Sequence, residues 1–226
     1  MKVICFAGPN GSGKTTIIER AIGLMGPIPL VCADFIEIGE YMSSTGLTDS
    51  ERTLLAAQLA DSVREKCLRE KKDFAFETVL SDITSDHNKL DFLKRAKEEG
   101  ARIIVLYALT RDKEINVRRI FQKRVPSGGH PVPEDKIRSR YDKCMIALPE
   151  VINVSDQIAI YDNSIDFQTS ILLNKYNENI TIYSNNPKED EFLQNTIIGP
   201  LQKYPQYNIV YEKSPKQPEN KRELGL

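Results

Sequence analysis

Short apolar runs alternate with amphipathic stretches along most of this chain. Residues 3–7 (Val-Ile-Cys-Phe-Ala) are wholly apolar, and residues 17–22 open a helical pattern. Further strands are predicted at 29–34, 73–78, 102–109 and 157–162. The segment 102–109 reads as a strand buried on both faces. Helices are predicted at 49–72, 86–99, 112–123 and 134–148. Leu54, Leu55, Leu59, Val63, Cys67 and Leu68 recur near a 3.6 period in the first, Asp49 or Ser50 is available to cap it, and Gly100 stops the second. Strand and helix alternate, so the expected fold is a three-layer α/β domain around a mainly parallel five-stranded sheet. Past Asn163 the rhythm changes to a hairpin pattern (167–174 and 180–183), a helix (189–203) and a strand (207–211). The expected division is a core at 1–165, a small C-terminal α+β appendage at 166–212, and a polar, flexible tail at 213–226.

The 226 residues, 40% hydrophobic and 28% charged, suit a soluble globular protein. A net charge of −1 supplies no long-range attraction to nucleic acid, which makes a nucleic-acid partner an unfavoured expectation. No apolar run has the length of a signal peptide or a bilayer span, so a cytoplasmic location without membrane contact is expected. Cys5, Cys32, Cys67 and Cys144 are scattered, which fits reduced thiols better than a disulfide or zinc framework.

The sharpest signal is Gly8-Pro9-Asn10-Gly11-Ser12-Gly13-Lys14-Thr15-Thr16, lying between the first strand and the first helix. G-x-x-x-x-G-K-T in that context is a phosphate-binding loop. Its glycines let successive amides turn inward, and the helix that follows presents its positive end to an anion. Lys14 is placed to reach the β- and γ-phosphates of a nucleotide, and the Thr15 hydroxyl to bind Mg²⁺.

Ligands in open α/β sheets bind beyond the carboxyl ends of the strands. The second expected strand ends at Asp34, and the third at Glu77 and Thr78 with Ser81 just beyond. Two carboxylates beside a γ-phosphate suit a hydroxyl kinase, one accepting the hydroxyl proton and one holding the acceptor. Holding Mg²⁺ through water, or capping helices, would use the same residues. A basic stretch follows: Arg111, Lys113, Arg118, Arg119, Lys123 and Arg124, then Arg138 and Arg140. Arg119 and Arg124 precede the loop Ser127-Gly128-Gly129-His130-Pro131-Val132-Pro133, where a lid could carry them over a phosphate, though a solvated helix face has the same composition. His130 either touches substrate or orders that loop. Asp162-Asn163-Ser164 either lines a base or ribose pocket or makes a plain turn.

Together these motifs resemble the zeta-toxin family of P-loop kinases, including a branch labelled as ABC-type ATPases. The resemblance rests on GPNGSGKTT (8–16), Asp34, FETVLS (76–81), RRIFQKRVPSGGHPVPEDKIRSRY (118–141) and YDNS (161–164). It covers about residues 1–165. It implies a kinase core with ATP and Mg²⁺, and transfer to a sugar hydroxyl of UDP-N-acetylglucosamine or a related UDP-sugar. It also implies a separate antitoxin protein as partner. Carried over by motif, Lys14 and Thr15 hold phosphates and Mg²⁺, Asp34 is the general base, and Glu77 and Thr78 contact the acceptor. Arg119, Arg124 and Arg140 contact donor phosphates. The family often has asparagine two residues before the base, where this chain has Cys32.

Rival readings remain open at this level. Ser127-Gly128-Gly129-His130 echoes an ABC signature, but the next strand ends Tyr161-Asp162-Asn163, without the glutamate such an ATPase needs to polarise water. A nucleotide-gated switch, or a kinase for a nucleoside or polynucleotide end, would share the phosphate loop.

Overall fold

A computed structural model describes residues 1–26, 28–37, 39, 46–81, 88–124 and 132–215. The central element is one sheet of eight strands: β1 (Lys2–Ala7), β2 (Leu30–Val31), β3 (Phe74–Thr78), β4 (Arg102–Leu109), β5 (Gln157–Asp162), β6 (Ser170–Tyr176), β7 (Asn179–Tyr183) and β8 (Asn208–Glu212). The order is β2-β3-β1-β4-β5-β6-β7-β8. Strands β2, β3, β1, β4 and β5 are parallel, as expected. From β1 the chain goes first to β2 at the edge and β3 between, and then crosses to β4 on the other side, so the crevice beyond β1 is the topological switch point where such sheets bind ligands.

The expected sheet of five strands is corrected to eight. Strand β6 pairs antiparallel with β5, β7 antiparallel with β6, and β8 parallel with β7. The hairpin was legible, but its attachment was not: pairing of β6 to β5 is a long-range choice that hydrophobic period does not encode. Asn177, at φ +53°, makes the tight turn between β6 and β7.

The helices are α1 (Lys14–Met25), α2 (Ala33–Glu37), α3 (Asp49–Arg69), α4 (Lys89–Glu98), α5 (Lys113–Arg119), which runs into a π-helical turn (Ile120–Arg124), and α6 (Glu134–Val154). Three short helical pieces, Glu191–Leu193, Gln194–Ile198 and Gly199–Leu201, precede β8. The two sheet faces are covered unequally. Helix α1 packs Ile17, Ile18 and Ala21 on Ile4, Phe6 and Leu106. Opposite, α3, α4, α6 and the C-terminal pieces pack on Val3, Cys5, Phe74, Phe76, Ile103 and Val105. Both faces of the central strands are therefore buried, which is why they read as unbroken apolar runs.

Several boundaries differ from expectation for identifiable reasons. Helix α3 is capped by Thr48, whose side chain accepts from the Glu51 amide while Glu51 accepts from the Thr48 amide. That capping box outcompetes Asp49 and Ser50. The buried stripe of α3 is Ala56, Ala60, Arg64 and Leu68, whereas Leu54, Leu59 and Val63 are exposed. Small residues let the helix approach the sheet, and the Arg64 guanidinium lies 5.3 Å over the Phe76 ring. Helix α6 continues through Pro149 to Val154, because burial of Leu148, Val151 and Ile152 outweighs the one backbone hydrogen bond that proline removes. Among the described residues no helix is long and apolar enough to cross a membrane. The expected flexible tail lies, from residue 216 onward, outside the described residues.

Candidate active site

The parallel register ends the strands in two level pairs, β1 with β3 and, two residues further on, β4 with β5. Ala7 pairs with Thr78 on one side and Tyr107 on the other, and Leu109 pairs with Asp162. Gly8 and Val79 thus leave the sheet side by side, and Asn163 leaves two residues further along, beyond the end of β4. The phosphate loop turns through three positive-φ glycines: Gly8 (+133°), Gly11 (+79°) and Gly13 (+95°). At Gly8 a Cβ would lie 2.0 Å from the Ala108 carbonyl oxygen. Only glycine permits both that conformation and that approach.

The loop is clamped from outside. Asn116, buried on α5, donates from Nδ2 to the Asn10 carbonyl at 2.7 Å, and its Oδ1 accepts from the Thr110 hydroxyl. Asn163 Nδ2 donates to the Ser12 carbonyl at 2.8 Å, while the Asn163 amide donates to Leu109 at 2.9 Å. Tyr141 of α6 donates to the Thr110 carbonyl at 2.6 Å. The composition of the motif gives no hint of Asn116 or Thr110. The available signal was slight: a polar residue between Ile115 and Val117 in a short helix.

Lys14 opens α1 and folds back into the loop. Its Nζ donates to the carbonyls of Gly8 (3.0 Å) and Pro9 (3.2 Å) and lies 3.3 Å from Glu77 Oε1. Glu77 pairs in register with Phe6, so its side chain leaves the sheet on the α1 face. Its other oxygen accepts from the Cys32 thiol at 3.4 Å. Asp34 sits in the first turn of α2 and is exposed. This corrects the expectation that it ends a strand: β2 stops at Val31, and a short helix begins two residues later. Burial pushes the Cys32 thiol up to about 11, and the charges of Glu77 and Asp34 add to the shift. Both carboxylates thus act on one thiol beside the phosphate loop. Thr78 and Ser81 are half-buried just beyond, and Cys144 of α6 donates to the Val79 carbonyl at 3.0 Å. Leu80 adopts φ +54°.

Four residues of the basic stretch, Arg111, Lys113, Arg119 and Arg138, are held by carboxylates. Arg111 bridges Asp162 (2.6 Å) and Asp190 (2.7 Å), Lys113 meets Asp142 (2.9 Å), and Arg138 meets Glu114 and Glu134. Arg119 donates to Asp166 Oδ1 from Nε and Nη2, at 3.0 and 2.7 Å. That pair joins the end of α5 to the turn after β5, a partnership the spacing did not suggest. Arg140 is half-buried on α6, and its charge reaches Cys144. The Arg124 side chain, and His130 with residues 125–131 of its loop, lie outside the described residues.

These residues fit a nucleotide triphosphate. Glycine backbone lines the loop, and the buried Oδ1 atoms of Asn10 and Asn163 have no hydrogen-bond partner among the described residues. Lys14 is 8% exposed at the loop's centre, and Thr15 and Thr16 are exposed at its mouth. Among the described residues no cluster of three or more His, Cys, Asp or Glu could hold a metal ion. One threonine hydroxyl beside a triphosphate is the donor set by which Mg²⁺ is held in phosphate-loop sites, since that ion keeps its waters and takes the rest from the nucleotide.

No family model matches the chain, and no curated protein matches it. Solved structures do. The complex of AvrRxo1-ORF1 with AvrRxo1-ORF2, crystallised with sulphate ions, superposes with a TM-score of 0.66 at 14% identity, covering 86% of this chain and 63% of that one. The same complex with ATP gives 0.61 at 16%, covering 77% and 58%. A structure from the PezAT chromosomal toxin–antitoxin system of Streptococcus pneumoniae gives 0.50 at 17%, covering 74% and 71%. The chain therefore spans less than two thirds of the AvrRxo1-ORF1 complex chains it matches. At these identities the likeness establishes the fold alone: the α/β architecture with a phosphate loop that the alternation of strands and helices led one to expect.

Proposed function

We propose that the protein is an ATP-dependent small-molecule kinase that transfers the γ-phosphoryl group to a hydroxyl, with UDP-N-acetylglucosamine or a related UDP-sugar as acceptor. The observation that carries this reading is the meeting of Glu77, delivered by the neighbouring strand, with Lys14 of the phosphate loop, while Asp34 opens the short helix that follows β2. A pure switch or motor has no use for two carboxylates on the acceptor side of such a loop.

In this reading the loop amides and Lys14 hold the β- and γ-phosphates, and Thr15 contributes its hydroxyl to Mg²⁺, which neutralises phosphate charge when bound. Asp34 accepts the acceptor's hydroxyl proton as the oxygen attacks the γ-phosphorus. The bond from that phosphorus to the β–γ bridging oxygen breaks, and ADP leaves. Glu77, Thr78 and Ser81 hold the acceptor. Arg119, Arg124, Arg140 and His130 act from the lid side, and Asn163 closes the nucleotide side. We assign this chemistry to residues 1–165, with 166–212 as a C-terminal addition, and infer a cytoplasmic protein with a separate antitoxin as partner. The AvrRxo1-ORF1 complex with ATP and the PezAT toxin–antitoxin system, which share the fold, support the reading.

The test is incubation with ATP and Mg²⁺ against a panel of UDP-sugars, nucleosides and oligonucleotides, read by mass spectrometry. A gain of one phosphoryl group on a UDP-sugar is expected, and Lys14→Ala abolishes it. ADP release with no phosphorylated acceptor would overturn the kinase assignment.

A further inference from the structure

The eight-stranded sheet ends in two unequal edges. At one end β2 is two residues long, which leaves little backbone for another strand to pair with. At the other, β8 runs for five residues, Asn-Ile-Val-Tyr-Glu, and among the described residues no strand lies beyond it. Such an edge is ordinarily blunted by proline, a bulge or a central charge. Strand β8 has no proline, pairs with β7 in unbroken register, and carries its one charge, Glu212, at its last position.

The β7–β8 ladder fixes which backbone groups of β8 face outward. The Asn208 amide donates to the Glu178 carbonyl, and the Glu212 carbonyl accepts from the Ser184 amide, both at 2.9 Å. Alternate residues of a strand turn their amide and carbonyl to the same neighbour. Asn208, Val210 and Glu212 therefore serve β7, while Ile209 and Tyr211 turn theirs to the open edge. Side chains alternate as well. Ile209 packs on the core under α3, α4 and α6, so Tyr211 shares that face, and Asn208, Val210 and Glu212 take the α1 face. Val210 is 46% exposed and Tyr211 47%.

We propose that a second copy of this chain pairs with the open edge of β8, antiparallel about a two-fold axis at Val210, and so joins two sheets into one. The phosphotransfer reading plays no part in this. An antiparallel ladder forms bonds only where outward residues oppose outward residues. The register centred on Val210 opposes Ile209 to Tyr211 twice, the most bonded pairs that these five residues allow. The side chains agree with it. On the α1 face Val210 meets its own counterpart, flanked by Asn208 opposite Glu212, an amide donor against a carboxylate. On the other face the Tyr211 ring lies along Ile209. The pairing covers both large exposed apolar residues of the strand and sets no like charges against each other. A strand of another protein could use the same backbone groups, but this match of β8 to itself about one residue is specific to a second copy. The symmetry closes the assembly at two.

The experiment is sedimentation velocity on the full chain from micromolar to millimolar concentrations. The wild type is expected to pass from monomer to dimer across that range, since a ladder this short makes a small interface. Val210→Lys and Val210→Glu each set like charges against each other at the axis. Each is expected to stay monomeric alone, and the two to form a heterodimer when mixed. Tyr211→Pro removes an amide that β7 does not use, so it keeps the circular dichroism spectrum of the wild type and loses the dimer. A wild type that is monomeric throughout overturns the proposal and leaves the edge to a strand of another protein. A dimer that persists in Tyr211→Pro overturns it too, as does a mixture of the two charged variants that fails to associate, because either result moves the contact away from Val210.

Discussion

Lys14 Nζ lies 3.3 Å from Glu77 Oε1. The lysine of the phosphate loop is thus shared between two loop carbonyls and a carboxylate delivered by the neighbouring strand. Any triphosphate entering the loop competes with Glu77 for that ammonium. In the proposed kinase, donor binding would release the carboxylate toward the acceptor side.

Glu77→Gln removes the competing charge while preserving shape. ATP affinity is expected to be equal to that of the wild type or tighter, and the acceptor KM to rise by roughly tenfold to a hundredfold, the range for losing a charged hydrogen bond. Titration calorimetry and steady-state kinetics check both. Weaker ATP binding would show that Glu77 serves the donor instead.

Asp34 is exposed in the first turn of α2, and the proposed reaction makes it the general base. Asp34→Asn is expected to lower kcat by about 10²–10⁴-fold, the usual contribution of a general base, with ATP affinity unchanged. Transfer at the wild-type rate would remove Asp34 from the reaction.

Two glycines separate backbone necessity from convenience. Gly8→Ala drives a Cβ to 2.0 Å from the Ala108 carbonyl oxygen at φ +133°, and a loss of roughly 3 kcal/mol or more is expected from overpacking and strain. Gly23 sits exposed in α1, where an added Cβ meets nothing within 4 Å. Gly23→Ala should stabilise by up to about 1 kcal/mol. Denaturant melts of the two variants are predicted to move in opposite directions.

Lys175 is buried beneath the C-terminus of α6, with Nζ donating to the carbonyls of Ile152 (2.8 Å) and Ser155. Burial, aided by the charge of Lys97, lowers its pKa to about 8 from 10.5. The folded protein thus gives up this proton at lower pH than the unfolded chain does. Between about pH 8 and 10.5 the unfolded state binds more protons, so stability rises with pH across that window. The two carbonyls favour the ammonium and oppose the effect, which caps the gain at roughly 3 kcal/mol. Relative to Lys175→Met, the wild type should gain stability from pH 8 to 10.5 in chemical denaturation. A flat difference would show that the carbonyls cancel the burial.

The parts that the sequence makes legible are local. A buried parallel strand must be apolar on both faces, so 102–109 and 157–162 stand out and match β4 and β5 to the residue. A phosphate loop needs glycine where φ is positive and a lysine at the first turn of a helix, and those demands fall within nine consecutive positions. Capping was less legible, because Thr48 won through a reciprocal bond with Glu51 that neither residue announces alone.

The phosphate loop, its flanking strand and helix, and the alternation that makes an α/β core were thus determined by the sequence itself, since each depends on residues a few positions apart. Only the tertiary structure decided that β6, β7 and β8 extend the sheet, that Asn116 and Asn163 grip the loop from 106 and 151 residues away, and that Glu77 meets Lys14 and Cys32. Those contacts join side chains that share no periodicity. They exist because parallel register ends β1 with β3 and, two residues further on, β4 with β5, and neighbouring strand ends bring distant residues within hydrogen-bonding reach.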